Sequence, residues 1–85
     1  MNNYRAVVRI TLRKGILDVQ GKAVENALHA IDFDTISEVR IGRYVELNVK
    51  ANDTDAAKVL VADACKKLIA NPIIEDFDIQ IEEVK

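Results

Sequence analysis

The sequence predicts an α+β domain with two helices on one face of an antiparallel sheet. Apolar and polar residues alternate in three segments, which is typical of half-buried strands. Between them the apolar spacing changes to the helical period. The predicted order is β-α-β-α-β, over residues 4–12, 21–31, 38–50, 53–70 and 76–83. This order is close to the ferredoxin-like pattern, with one long middle strand in place of two.

The first strand and the first helix each show one apolar face. Ala6, Val8, Ile10 and Leu12 share a face of the strand, whereas Arg5 and Arg9 lie on the solvated face. The helix is expected to pack through one apolar stripe and to be capped by Asp18 or Gln20. That stripe consists of Val24, Ala27, Leu28 and Ile31. The opposite, polar side carries Glu25 and His29.

The middle segment, EVRIGRYVELNVK, alternates through Gly42 without a change of parity. A two-residue hairpin at Gly42-Arg43 would mix apolar and charged residues on one face. A three-residue loop would need a left-handed residue at Tyr44, which a tyrosine disfavours. We therefore expect one long strand bent at Gly42.

The length of this strand has a consequence for assembly. Thirteen residues span about 43 Å, whereas a compact domain of this size has a radius of gyration of about 12 Å. The overhanging part has unpaired backbone groups and an apolar face. We expect a second copy to complete the sheet, in a homodimer or a tetramer.

The second helix and the last strand complete the predicted fold. Asp53 or Thr54 caps the helix, and Asn71-Pro72 ends it. Its inner stripe is expected to be Ala57, Val61, Ala64 and Leu68. In the strand, Phe77, Ile79 and Ile81 face inward and the outer face is acidic.

Length, charge and cysteine content limit the class of protein. The 85 residues suffice for one domain, 1–85. The net charge is −2, without the basic patch that a nucleic-acid partner requires. No apolar run approaches the roughly 20 residues of a membrane helix. The single cysteine, Cys65, indicates a reducing compartment, so a cytoplasmic protein is expected.

The segment GILDVQGKA resembles a phosphate-binding loop but fails its requirements. Five residues separate Gly15 from Gly21-Lys22 where the motif has four, and Ala23 lacks the hydroxyl that holds magnesium. His29 lacks the histidine and cysteine neighbours of a metal site, and Cys65 lacks a neighbouring base. We expect a surface histidine, a buried cysteine, and recognition in the loops 15–22, 42–44 and 70–75.

Three segments together resemble the PurS family over almost the whole chain, in the same order and at the same spacing. They are LRKGILDVQGKAVENALHAI, SEVRIGRYVELNV and CKKLIANPIIEDFDIQIE. The chain departs from the family in two places. Val19 stands where the family usually has proline, and Asp32 precedes Phe33 where a glycine commonly ends the first helix.

The resemblance implies the small subunit of phosphoribosylformylglycinamidine synthase, a ligase of purine biosynthesis. In that complex a large subunit binds ATP with Mg²⁺ and the ribonucleotide, and a glutaminase subunit releases ammonia. The small subunit, a dimer, joins them and carries no catalytic, cofactor or metal residues. Loop position and resemblance together give nine candidate contact residues: Leu17, Asp18, Gln20, Gly21, Gly42, Arg43, Tyr44, Asn71 and Pro72.

Two points remain open at this stage. Arg43 interrupts an apolar stripe, so we expect it at a contact with another chain, because an inward charge needs a partner. The alternative function is a ferredoxin-like regulatory module that binds a small ligand as a homodimer. Such a module would show a glycine-rich loop or a specific polar cluster at its interface, and the sequence shows neither clearly.

Overall fold

A computed structural model describes residues 1–84 and gives the α+β architecture expected from the sequence. Its elements are β1 (Asn2–Leu12), α1 (Val19–Ala30), β2 (Arg43–Ala51), α2 (Thr54–Ala64) and β3 (Glu75–Val84). The sheet is antiparallel with the order β2-β1-β3. The helix α2 continues into a π-helical turn, Cys65–Ile69. Within residues 1–84, no helix has the length and apolarity needed to cross a membrane.

The core lies between the central strand β1 and α2. Alternation along β1 is confirmed, because Ala6, Val8 and Ile10 are buried and Arg5 and Arg9 are exposed. The buried side chains of α2 are Ala57 and Val61, and Cys65 at the start of the π-helical turn is buried with them. Partly buried residues of β2 and β3 pack around them: Val45, Leu47, Val49, Phe77, Ile79 and Ile81.

The expected inner stripe of α2 is wrong at its C-terminal end. Cys65 is buried in place of Ala64, and Leu68 is 88% exposed. The buried residues follow a spacing of four, and the π-helical turn then changes the rotation per residue. Its bond from the Ala70 N–H to the Cys65 carbonyl oxygen measures 2.9 Å.

The expectation of a regular strand over 38–50 is corrected at its beginning, because β2 starts at Arg43. Glu38 has a φ of 56°, which is left-handed and incompatible with a strand. Residues 39–42 find no strand partner within the described chain. Gly42 lies at this junction because a Cβ there would be 2.3 Å from the carbonyl oxygen of Ile10.

The helix α1 does not lie on the sheet as α2 does. It makes no extended contact with any strand, and Gly21 is its one buried residue. The molecule measures 52 × 28 × 14 Å, and its radius of gyration is 16.5 Å, against about 12 Å for a compact chain of this length. The structure therefore consists of a body, formed by the sheet and α2, and an arm, residues 18–41.

Candidate contact site

A cleft of about 370 Å³ opens where the arm joins the body. Ile10 and Leu12 of β1 form its apolar floor, and Leu17 and Val19 stand at its rim. Five of the nine sequence-predicted contact residues line it: Leu17, Asp18, Gln20, Gly42 and Arg43. Gln20 and Gly42 are far apart in the sequence, and contacts between α1 and the segment 36–41 bring them to the same cleft.

Asp18 binds two backbone groups at once. One carboxylate oxygen accepts from the Gly21 N–H at 2.8 Å and caps α1. The other accepts from the Ile41 N–H, also at 2.8 Å. These two bonds hold the pKa of Asp18 below its ordinary value, and the bond from Gly21 has the larger effect. Asp18 rather than Gln20 is therefore the cap, and both of its oxygens are engaged inside the chain.

Gly21 permits close contact between α1 and the segment 36–41. A Cβ at this position would lie 2.4 Å from the carbonyl oxygen of Val39. The following residue, Lys22, pairs with Glu25 on the next turn at 3.6 Å. Gly21 therefore serves the packing of α1 against the segment 36–41, whereas Lys22 forms an exposed ion pair within the helix.

The polar side of α1, rather than its apolar stripe, faces the segment 36–41. Glu25 accepts from the Val39 N–H at 3.2 Å, and this bond lowers the pKa of its carboxyl. His29 lies farther along the same side, with Nε2 at 2.7 Å from the carbonyl oxygen of Ile36. Asp18, Glu25 and His29 form the arm clamp, the name we use for these three side chains.

Sequence reasoning placed His29 at the surface and missed its role. The Glu25–His29 spacing of four residues shows that both lie on one side of the helix. It does not show that their partners are backbone atoms of a later segment.

Arg43 finds an ion-pair partner within the chain. Its guanidinium lies 2.7 Å from a carboxylate oxygen of Glu75, across the central strand. The same oxygen accepts from the Asn71 N–H at 2.7 Å. The Asn71 bond first, and Arg43 after it, lower the pKa of Glu75. The Arg43 side chain remains 54% exposed at the cleft, so its contact with another chain stays a prediction.

The other candidates lie outside the cleft. Asn71 is linked to it through Glu75, and the Pro72 carbonyl oxygen accepts from the Arg13 guanidinium. Tyr44 lies on the opposite face of the sheet, where its hydroxyl donates to Glu46 at 3.0 Å. That bond raises the pKa of Tyr44. Five of the nine residues therefore line the cleft, Gly21 lies beside it within the arm, and Asn71, Pro72 and Tyr44 lie elsewhere.

The titratable side chains at and near the cleft are engaged in contacts within the chain. Among residues 1–84, no three His, Cys, Asp or Glu side chains are grouped as metal ligands. Cys65 is buried against the sheet, and burial raises the pKa of its thiol, which opposes nucleophilic use. The carboxylates at the cleft accept hydrogen bonds from backbone N–H groups.

Comparison with known proteins shows the family of this chain. The family model described as PurS, phosphoribosylformylglycinamidine (FGAM) synthase, matches residues 5–83. The chain belongs to the PurS family. The family resemblance seen in the sequence is thereby confirmed, and the finding does not favour the small-ligand module.

Two PurS relatives match over nearly their full length. The phosphoribosylformylglycinamidine synthase subunit PurS of Bacillus subtilis is 43% identical over 81 residues, 95% of each chain. The crystal structure of Methanocaldococcus jannaschii PurS superposes with a TM-score of 0.86 at 33% identity. The match covers 96% of this chain and 99% of that one. That protein is described as one of the subunits of formylglycinamide ribonucleotide amidotransferase in the purine biosynthetic pathway.

A second solved structure supports the fold alone. A chain of the PurLQS structure from Thermotoga maritima has a TM-score of 0.86 at 24% identity, and the match covers 99% and 100% of the two chains.

The departure from the PurS pattern at the end of α1 has a structural solution. Asp32 adopts a left-handed φ of 75°, the conformation that glycine favours after a helix. Its N–H donates to the His29 carbonyl oxygen at 3.3 Å, and the Phe33 N–H donates to the Leu28 carbonyl oxygen at 2.9 Å. These are the two bonds of a Schellman motif, so the helix ends here without glycine.

Proposed function

We propose that this chain is the non-catalytic small subunit of phosphoribosylformylglycinamidine synthase. Membership of the PurS family over residues 5–83, with relatives named as subunits of that enzyme, carries the proposal. The assembled enzyme converts formylglycinamide ribonucleotide, ATP and glutamine to formylglycinamidine ribonucleotide, ADP, phosphate and glutamate. ATP and Mg²⁺ bind the large synthetase subunit, and this chain holds that subunit together with the glutaminase subunit in the cytoplasm.

A bridging subunit needs more than one contact surface, and two open apolar surfaces support this role. The first is the rim of the cleft, where Leu17 and Val19 are 73% and 69% exposed beside Gln20. The second is the outer side of α2 and of the π-helical turn after it, where Val59, Leu60 and Leu68 are exposed. Apolar surface of this kind is typical of interaction sites.

Homo-oligomer formation is the second part of the proposal. The chain is more extended than a compact domain of its length, and the apolar stripe of α1 is not covered by its own sheet. A second copy is the simplest cover for a small chain of this shape.

Reconstitution of the enzyme tests the subunit role directly. Glutamine-dependent formation of the amidine product is measured with the large and glutaminase subunits, with and without this chain. We expect product formation only when the chain is present. Equal rates in its absence would overturn the proposal.

A further inference from the structure

The outer edge of β3 is open and regular. β3 pairs with β1 on one side, and within residues 1–84 no strand pairs with its other side. Its register with β1 runs without a bulge from the pair Leu12–Glu75 to the pair Asn3–Val84, and the strand contains no proline. Bulges and prolines are two of the devices that keep free edges from pairing, and this edge lacks both. The 10 residues of β3 therefore present an edge of about 34 Å.

The backbone groups at this edge belong to the residues whose side chains face the core. The Arg13 N–H donates to the Ile74 carbonyl oxygen at 2.8 Å, and these two residues continue the register of β1 and β3. Hydrogen-bonded pairs alternate along an antiparallel ladder, so the even-numbered residues of β3 bond to β1. The N–H and carbonyl groups of Phe77, Ile79 and Ile81 therefore point toward the open edge, where they can bind a further strand.

The solvent face of β3 beside this edge is acidic, since it carries Asp76, Asp78 and Glu82. Asp76 and Asp78 are paired loosely with arginines of β1, at 3.5 and 3.8 Å respectively, and their side chains remain 66% and 71% exposed. Glu82 lies opposite Arg5, which pairs with Glu46 instead, and it has no ion pair among residues 1–84. The row therefore keeps negative charge that a neighbouring strand can compensate.

The strand on the inner side of β3 shows which side chains match this row. In β1 the cations Arg5 and Arg9 stand opposite Glu82 and Asp78, and the residues between them on the core face are apolar. Opposite charges at facing positions stabilise a strand pair, and like charges destabilise it. At the open edge the acidic residues take the non-hydrogen-bonded positions, where facing side chains are closest. A matching strand therefore has arginine or lysine on its solvent face and apolar residues on its core face.

A second copy of the chain does not supply such a strand. Two copies of β3, paired antiparallel about Ile79, would bring Asp76 opposite Glu82, and like charges repel. β1 has the required row of cations, but both of its edges are paired. The solvent face of β2 offers one cation, Lys50. The matching strand therefore has to come from another protein.

We propose that the outer edge of β3 binds an extended, basic segment of another subunit of the enzyme. The segment adds antiparallel to β3 and bonds to the outward backbone groups of Phe77, Ile79 and Ile81. Its arginine or lysine side chains pair with Asp78 and Glu82. This inference rests on the proposed function, which supplies the other subunits, and it specifies the kind of segment that one of them contributes.

Neutral variants of similar shape test the charge of the partner. Asp78→Asn combined with Glu82→Gln should leave the fold intact, because exposed ion pairs contribute little to stability. We expect the dissociation constant for the large subunit or for the glutaminase subunit to rise about tenfold. The dependence of that constant on salt should become weaker at the same time. Titrations at low and high salt measure both effects.

The matched control is Asp34→Asn combined with Asp55→Asn, which removes the same charge at exposed positions outside the sheet. It should bind both subunits as the unmodified chain does. Equal dissociation constants for the two double variants, with each subunit, would overturn the proposal. Self-association of the β3 variant with unchanged subunit binding would also overturn it, and would assign the acidic row to protection of the edge against aggregation.

Hydrogen exchange locates the contact without the other subunits. The probe is a synthetic peptide of alternating arginine and valine, and a peptide of alternating glutamate and valine is its control. We expect the arginine peptide alone to slow exchange of the amides of Phe77, Ile79 and Ile81, measured by NMR. The amides of Asp78 and Gln80 already bond to β1 and should not change.

The exchange experiment separates this inference from the proposed function. Unchanged exchange at the outward amides of β3 would overturn strand addition, whatever the reconstituted activity. Slowed exchange, together with enzyme activity that does not require the chain, would overturn the subunit role and leave the binding of a basic segment at this edge intact.

Discussion

Asp18 illustrates how one side chain can be interpreted in two ways. From the sequence it is a contact residue in a recognition loop, and it does line the cleft. Its two oxygens, however, are bound to the N–H groups of Gly21 and Ile41. Gln20 is exposed at the same cleft and caps nothing. The two neighbours therefore have different roles, which substitution can separate.

We predict that Gln20→Ala weakens binding to the large subunit and leaves the oligomeric state and the melting temperature unchanged. Asp18→Ala should lower the melting temperature as well, because it removes the cap of α1 and the tie to Ile41. Titration against the large subunit, with a thermal melt of each variant, measures both effects. Unchanged binding by Gln20→Ala would exclude this residue from the contact surface.

We expect the two carboxylates of the arm clamp, Asp18 and Glu25, to make the stability of the chain depend on pH in the acid range. Hydrogen bonds from backbone N–H groups lower the pKa of Asp18 and of Glu25 in the folded chain. A carboxyl with a depressed folded pKa contributes stability that is full above its unfolded pKa of about 4. That contribution is lost as the pH falls through the folded value.

We therefore predict that the melting temperature decreases as the pH is lowered from about 5 to about 3. The double variant Asp18→Asn, Glu25→Gln should show a flatter profile, because its amides do not titrate in this range. Thermal melts across the pH series measure the difference. Parallel profiles for the two proteins would show that the clamp carboxylates do not cause the dependence.

Single residues were predictable where a local pattern determines them. Asp53 was one of two candidates for the cap of α2, and its carboxylate accepts from the Ala56 N–H at 2.7 Å. His29 and Arg43 were not predictable in the same way. Their partners, the Ile36 carbonyl and Glu75, come from other segments, and no local spacing indicates them.

At the scale of elements, the end of α1 depends on one left-handed residue. A non-glycine residue in this conformation is strained by roughly 1 kcal/mol, although aspartate tolerates it better than most. We predict that Asp32→Gly raises the free energy of unfolding by up to about 1 kcal/mol. Denaturant unfolding at a fixed protein concentration measures the change.

The control for this substitution is Asp34→Gly in the following turn. Among the described residues, positive φ values outside glycine occur at Asp32 and Glu38, so Asp34 has no such strain to relieve. We expect Asp34→Gly to leave the free energy of unfolding unchanged or to lower it, because glycine increases the entropy of the unfolded chain. A gain of the same size in both variants would argue against relief of backbone strain.

The middle strand shows the limits of prediction at this scale. The unbroken alternation of apolar and polar residues through Gly42 correctly excluded a hairpin there, since β2 continues directly from the segment before it. The alternation could not show that residues 38–42 lack regular strand geometry. A strand is defined by its backbone pairing with a neighbouring strand, and within the described chain this segment has no partner strand.

At the scale of the whole molecule, the sequence predicts that part of the fold needs a second copy to cover it. It assigns this need to the middle strand alone. In the structure the helix α1 is also uncovered, because it lies in the arm and makes no extended contact with the sheet. The helical period of α1 predicts an apolar stripe that packs against a core. That period identifies a face that needs cover but does not identify which chain supplies the cover.

The direct continuation of the arm into β2 also affects how the protein folds after its synthesis in a cell. If the core is completed only by a second copy, the final folding step is bimolecular, and its rate depends on concentration. A newly made chain in dilute solution keeps its apolar stripe exposed until it meets another. Its lifetime against proteases then depends on how fast its neighbours are synthesised. The fraction of new chains that escapes degradation therefore rises with the rate at which the subunit is synthesised.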